Sequence, residues 1–211
     1  MNSFSPPSSL PSLIARSTNA TKIASWQREL AEASISCQEL FDTLKIDPKH
    51  RAQLLNEHKM LAQFPLRVTR SFMQRMRPGD INDPLLQQVL PTREESSLAV
   101  GFSTDPVGDI AANAVPGIVH KYHGRALLIT TKACAIHCRY CFRRHFPYQD
   151  NRLSESQRDV AIQYIANDTS ITEVILSGGD PLASSDKYLH QLISQLAQIP
   201  HLNTLRSHSR L

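Results

Sequence analysis

Long apolar runs are missing from this sequence: none approaches the ~18 residues that a membrane-spanning helix needs. Blocks of like charge are missing too. With 23 Lys and Arg against 19 Asp and Glu, the formal net charge is only +4, a solvated surface rather than a nucleic-acid arm. These absences lead us to expect neither a membrane nor a nucleic-acid partner. Residues 1–11 are Ser/Pro-rich and hold no apolar h-region, so no secretory signal is expected. The expected location is cytoplasmic, where disulfides are disfavoured and clustered cysteines more often bind metal or do chemistry. Cysteine itself is scarce, with four in 211 residues. Three of the four are packed into one stretch, Cys134-Ala-Ile-His-Cys138-Arg-Tyr-Cys141, spaced C-x3-C-x2-C.

The chain is long enough for one ordinary domain with an N-terminal extension. Residues 1–20 are rich in Ser, Pro, Asn and Thr and are expected to be disordered. Ile23, Trp26, Leu30, Ala33, Cys37, Leu40 and Leu44 recur at steps of three and four, predicting one amphipathic helix that ends at Asp47-Pro48. Cys37 sits in that stripe and reads as a small buried apolar residue. Further helices are predicted over 49–63, 68–76 and a short one from Asn82 to Val89. Residues 91–117 read as a long irregular connection. We therefore divide the chain into the N-terminus (1–20), a helical region with its connecting loop (21–115) and a second domain (116–211).

That second domain alternates. Ala126–Thr131 is an apolar run that fits a strand buried on both faces. The cysteine loop follows it. Ser154 is placed to cap a helix running to Asn167, with Val160, Tyr164 and Ile165 on one face. Glu173–Ser177 is a second buried strand ending in Gly178-Gly179-Asp180-Pro181. Asp186 is placed to cap a further helix, with Leu189, Leu192, Ile193 and Leu196 inward, and 202–206 begins a third strand. Strand–helix alternation implies an α/β fold with parallel strands. Ligand sites in such sheets lie at the strands' carboxyl ends. The cysteine loop and the Gly178-Gly179-Asp180 loop are both predicted there, on neighbouring strands.

Three thiols in one compact loop suit an iron–sulfur cluster with one iron left open for an exogenous ligand. Zinc is the main rival, because His137 or His145 could complete a four-ligand site. Structural thiols with no metal are the remaining reading. A basic cluster flanks the loop: Lys121, Tyr122 and Arg125 before the first strand of the alternating part, Arg143 and Arg144 after the cysteines. Arginine suits bidentate phosphate or carboxylate contacts, so two anion-ready flanks are expected.

The C-x3-C-x2-C spacing, with aromatic Tyr140 before the last cysteine, resembles the radical S-adenosylmethionine enzymes. Several stretches narrow the resemblance to the lysine 2,3-aminomutase family: 64–68, 82–89, Pro116–Arg125, Cys134–Phe146 and Leu176–Leu182. Within it, Gly101–Pro106 and Cys141–Tyr148 most resemble the bacterial branch that makes β-lysine for elongation factor P. The resemblance implies a partial (β/α)6 barrel after the N-terminal helical region. It implies an isomerase that exchanges a hydrogen and an amino group between C2 and C3 of lysine, giving (R)-β-lysine. The implied cofactors are a [4Fe-4S] cluster on Cys134, Cys138 and Cys141, S-adenosylmethionine, and pyridoxal phosphate. Gly178, Gly179 and Asp180, with Tyr140, would hold S-adenosylmethionine. Tyr122 and Arg125 match pyridoxal-phosphate contacts, and Arg143 matches the arginine that grips the lysine carboxylate. Lys121 stands where better-known members have arginine.

The resemblance also implies about six βα units, where this sequence shows two and part of a third, so a truncated product, inactive alone, is expected. The family's Schiff-base lysine lies beyond these residues, and neither Lys132 nor Lys187 matches it. Two other readings stay open: a radical aminomutase acting on another amino acid, and a non-catalytic metal-binding fragment.

Overall fold

The computed structural model describes residues 25–33, 35–60, 65–92, 95, 100–151 and 153–210. The disordered segment expected over 1–20, Ile23 at the head of the apolar stripe, and residues 61–63 at the end of the second helix lie outside them.

The single helix expected from 23 to 44 is two, α1 (Ser25–Ala31) and α2 (Cys37–Thr43). Ser36 breaks it. Its backbone is extended and its hydroxyl accepts from Glu39 N at 3.1 Å, so it starts a new helix as an N-cap. A three/four periodicity survives such a break, which is why the pattern reads as continuous. Cys37, Leu40 and Leu44 are buried as expected, whereas Trp26 is exposed. The chain leaves α2 through Lys45, a non-glycine residue at φ 53°, and enters α3 (Pro48–Met60). The helix expected over 68–76 is regular only over α4 (Arg70–Met73), capped by Thr69, and the one expected near Val89 is a 3-10 turn, Leu86–Gln88. Phe41, Leu40, Ile46, Val68 and Leu86 fill the core of this helical region, and Ile136 from the cysteine loop packs against it.

The second part is a five-stranded sheet in the order β1 (Asn113–Val115), β2 (Ile118–Tyr122), β3 (Arg125–Thr131), β4 (Glu173–Gly178), β5 (Thr204–Ser207). β3, β4 and β5 are mutually parallel, with α5 (Glu155–Asn167) and α6 (Asp186–Leu196) as the connections, as the alternation predicts. The antiparallel β1–β2–β3 edge is not in the sequence reading, which left β1 inside an irregular connection. It forms because His123-Gly124 makes a two-residue turn with Gly124 at φ +78°. That turn sets Tyr122 opposite Arg125.

The pleat sorts the sheet's side chains by parity. Ala126, Leu128, Val174 and Leu176 join Ala161 and Ile165 of α5 and Leu192 and Leu196 of α6 in one core. Ile129, with Leu127 beside it, points the other way, onto Val119 and Phe146. Ser154 caps α5 in a capping box with Gln157. Three details differ from expectation. Val160 faces solvent while Ala161 and Ile165 are buried, and Ser185 rather than Asp186 caps α6. Ile193 is exposed as well, so only Leu192 and Leu196 of the expected α6 face are fully buried. Among the described residues no helix is long and apolar enough to cross a membrane.

Candidate active site

The two suspect loops meet. The cysteine loop leaves the carboxyl end of β3 and the Gly178-Gly179-Asp180 loop leaves the carboxyl end of β4, and their backbones are hydrogen-bonded to each other. Gly179 N donates to Thr131 O at 2.6 Å and Asp180 N to Ala133 O at 2.7 Å. This crossing explains the glycines. A Cβ on Gly179 would lie 2.3 Å from Ala133 O, and one on Gly178, at φ +117°, would lie 2.4 Å from Thr131 O. Only hydrogens fit between the two chains. Tyr148 closes the junction by donating its hydroxyl to Gly178 O at 2.9 Å. The glycine backbone expected to face a cofactor is thus partly engaged in holding the cysteine loop.

All three thiols are half-buried. Burial, and then the neighbouring Cys141, Asp180 and Cys138, push the Cys134 thiol up to about 12. Burial likewise pushes Cys138 up. A loop that resists ionising Cys134 and Cys138 calls for a cation, because metal binding displaces the thiol protons. Among the described residues, no group of three or more His, Cys, Asp or Glu side chains is drawn together to hold a metal ion. One zinc ion would need sulfurs about 4 Å apart, given Zn–S bonds of ~2.3 Å. A multi-iron cluster asks less of the loop, because each of its irons takes only one thiolate. Of the histidines that could complete a zinc site, His137 has its Nδ1 2.8 Å from Pro65 O.

Asp180 is buried, and its carboxylate accepts from Leu182 N at 3.0 Å and Arg210 N at 2.7 Å. It lies close enough to Cys134 to raise that thiol. The segment after β5 also reaches the loop: Arg210 Nη1 is 2.6 Å from Cys138 Sγ, and its guanidinium carbon is 6.0 Å from the centre of the exposed Tyr140 ring.

The flanking arginines are all ion-paired, Arg143 and Arg144 in largely enclosed positions and Arg125 in an exposed one. Arg143 is buried, donating from Nε to Asp109 Oδ2 at 2.7 Å and from Nη1 to Ser177 Oγ at 2.9 Å. Lys121 Nζ lies 2.5 Å from the other oxygen of Asp109. Arg125 and Arg206 both pair with Glu173, the first residue of β4. Arg144 pairs with Glu95 at 2.8 Å. Tyr122, Arg125 and Arg143, with Asp109, Lys121, Phe142 and His208, line one cavity of about 250 Å³. A larger cavity of about 850 Å³ lies beside the end of β3, lined by Thr131, Lys132, Tyr148, Asn151 and Tyr188 among others, with none of the three cysteines in it. Lys187 is exposed on α6.

Asp109 is the residue the sequence reading missed. It is surrounded in sequence by Gly108, Ile110 and two alanines, and nothing local marks it. Burial pushes its carboxyl up, but the hydrogen bonds and charges of Lys121 and Arg143 outweigh this and hold it below the ordinary carboxylate value. Its contribution to stability is therefore fully present above about pH 4, the unfolded value, and is lost as pH falls through the lower folded value. Asp109→Asn leaves two buried or half-buried cations without their counter-ion. We expect it to cost about 3 kcal/mol at neutral pH and to flatten the acid limb of a stability–pH curve, measured by urea unfolding from pH 7 to pH 3. An unchanged acid limb would show that Asp109 is not the titrating group.

Comparison with known proteins agrees with this geometry. Residues 123–205 match a family described as a 4Fe-4S single cluster domain. The span runs from the β2–β3 turn to β5 and includes both loops, so this part of the chain is similar to an iron–sulfur domain. The chain is 46% identical over 186 residues to L-lysine 2,3-aminomutase of Escherichia coli (strain K12), covering 88% of this chain and 54% of that protein. It is 46% identical over 173 residues to the Haemophilus influenzae protein of the same name, covering 78% and 51%. It is 38% identical over 144 residues to that of Clostridium subterminale, covering 68% and 35%. Over most of its length the chain is therefore similar to L-lysine 2,3-aminomutases. It spans about half the length of the first two of these relatives.

Proposed function

We propose that this chain carries the radical-generating part of a lysine 2,3-aminomutase, within the opening βα units of a (β/α)6 barrel that follows a helical region over 21–115. The observation that carries this reading is the hydrogen-bonded junction of the cysteine loop and the Gly178-Gly179-Asp180 loop at the carboxyl ends of adjacent parallel strands. When bound, a [4Fe-4S] cluster and S-adenosylmethionine would supply a 5′-deoxyadenosyl radical, and pyridoxal phosphate would carry the migrating amino group.

The chain's own residues have separable tasks in this reading. Cys134, Cys138 and Cys141 would each give a thiolate to one iron. Asp180, with Gly178 and Gly179, would hold S-adenosylmethionine, and Tyr140 offers it an exposed ring next to the last cysteine. Tyr122 and Arg125, brought opposite each other by the hairpin, would contact pyridoxal phosphate from the 250 Å³ cavity. Arg143 lines the same cavity. A guanidinium has five donors, so Asp109 and Ser177 can fix its orientation while others grip the carboxylate of lysine. The product would be (R)-β-lysine, formed in the cytoplasm and passed to elongation factor P through its lysyl ligase.

Anaerobic reconstitution with iron and sulfide tests the first step. We expect broad visible charge-transfer absorption, about four irons per chain, and 5′-deoxyadenosine on adding S-adenosylmethionine and a strong reductant. Tight zinc binding with no visible absorption would refute the cluster.

A further inference from the structure

We infer that the helical region is a clamp on the cysteine loop, and that Arg67 is its positioning residue. This rests on reading the three cysteines as cluster ligands, but the contacts stand without it. The cysteine loop has no regular secondary structure, so its backbone polar groups need partners from elsewhere. The helical region supplies them. Arg67 Nε donates to the carbonyl of Cys134 itself, at 2.6 Å. The backbone oxygen of the same residue accepts from His137 N at 2.9 Å. Further along, Arg139 N donates to Gln88 O at 2.7 Å.

Arg67 is well placed for this task. Its guanidinium also donates to Leu30 O at the end of α1, and its neighbour Val68 donates to Ala33 O at 2.8 Å. Residue 67 is therefore tied to the helical core on one side and to a proposed ligand on the other. Glu95 makes a second tie, pairing with Arg139 at 2.7 Å and with Arg144 at 2.8 Å, on either side of Cys141. Ordering a loop costs about 1–2 kcal/mol per residue in backbone entropy. A loop clamped at 134, 137 and 139 has met part of that cost before any iron arrives.

Hydrogen–deuterium exchange on the metal-free chain tests the clamp directly. Arg67→Ala is expected to speed exchange across 134–141 about tenfold, the effect of losing one charge-assisted hydrogen bond, while leaving α2 unchanged. Arg67→Lys should recover part of the protection. Arg51→Ala is the control, because among the described residues Arg51 bonds within the helical core, to Ile46 O at 2.7 Å and Phe41 O at 3.3 Å, and pairs with Asp42. It should loosen α2 and spare the loop. In the reconstituted protein, Arg67→Ala should also release iron to a chelator about tenfold faster. Should Arg67→Ala fail to fold, Glu95→Gln carries the same test, with faster exchange at 139–144. Unchanged loop exchange in the variants, or uniform loosening of loop and α2 together, would overturn the inference. Because the exchange arm contains no metal, its outcome is independent of whether the chain assembles a cluster.

Discussion

Cys138→Ser is expected to leave the chain folded and to abolish cluster assembly. The side chain is half-buried in a loop held from several sides, and a hydroxyl occupies nearly the same space as a thiol. What it cannot do is ionise and bind iron as a thiolate does. Iron after reconstitution should fall from about four per chain to well below one, with loss of visible absorption, while the unfolding midpoint moves little. Cys37→Ser is the matched opposite. Cys37 is 5% exposed in the helical core, and burial pushes its thiol up to about 11. A hydroxyl there would be buried with no partner designed for it, at a cost of about 1–3 kcal/mol, yet iron content should be unchanged. Iron analysis and urea unfolding on both variants check this crossed pattern. Full iron content in Cys138→Ser would remove Cys138 from the ligand set.

Gly179→Ala should have the largest effect on stability of any single methyl addition at the site. The added Cβ meets backbone on every near side: Ala133 O at 2.3 Å, Lys132 C at 2.7 Å and Ala133 C at 2.8 Å. Backbone held by two inter-loop hydrogen bonds cannot swing aside as a side chain could. We expect a loss of more than about 3 kcal/mol, together with failure to assemble a cluster, since Ala133 directly precedes Cys134. Gly101→Ala separates sterics from backbone preference. Gly101 has φ +86°, but a Cβ added there would meet nothing within 4 Å, so its cost is that of left-handed backbone alone, about 1–2 kcal/mol. Chemical unfolding and iron content on the two variants decide the matter. Equal losses at both positions would show that the close approach of the loops is not what requires glycine at 179.

Much of the alternating part was legible because its signals are local. A run such as Ala126–Thr131 is too apolar to stay solvated and reads as a buried strand, and Ser154 just ahead of a helical pattern is a local N-cap signal. The helical region was less legible. Periodicity over 23–44 spans a real break, because Ser36 changes the backbone without disturbing the spacing of the apolar residues. The β1–β2 edge was missed because its strands are short and its turn, His123-Gly124, lies among polar residues that equally suit a loop.

The same division holds at the site. Three thiols at C-x3-C-x2-C, and a Gly-Gly-Asp loop one βα unit later, are properties of spacing along one chain, and the sequence alone determined them and the strand ends they occupy. Which groups neutralise the flanking cations is a property of distance in space. Only the tertiary structure paired Arg143 and Lys121 with Asp109, Arg125 with Glu173, and Cys134 O with Arg67. The Arg67–Cys134 partners are 67 residues apart, and no local pattern carries information across that interval. The glycines belong to both levels. Their presence at the end of β4 is written in the sequence, but the reason for them, a backbone crossing too close for a methyl group, exists only once the two loops have met.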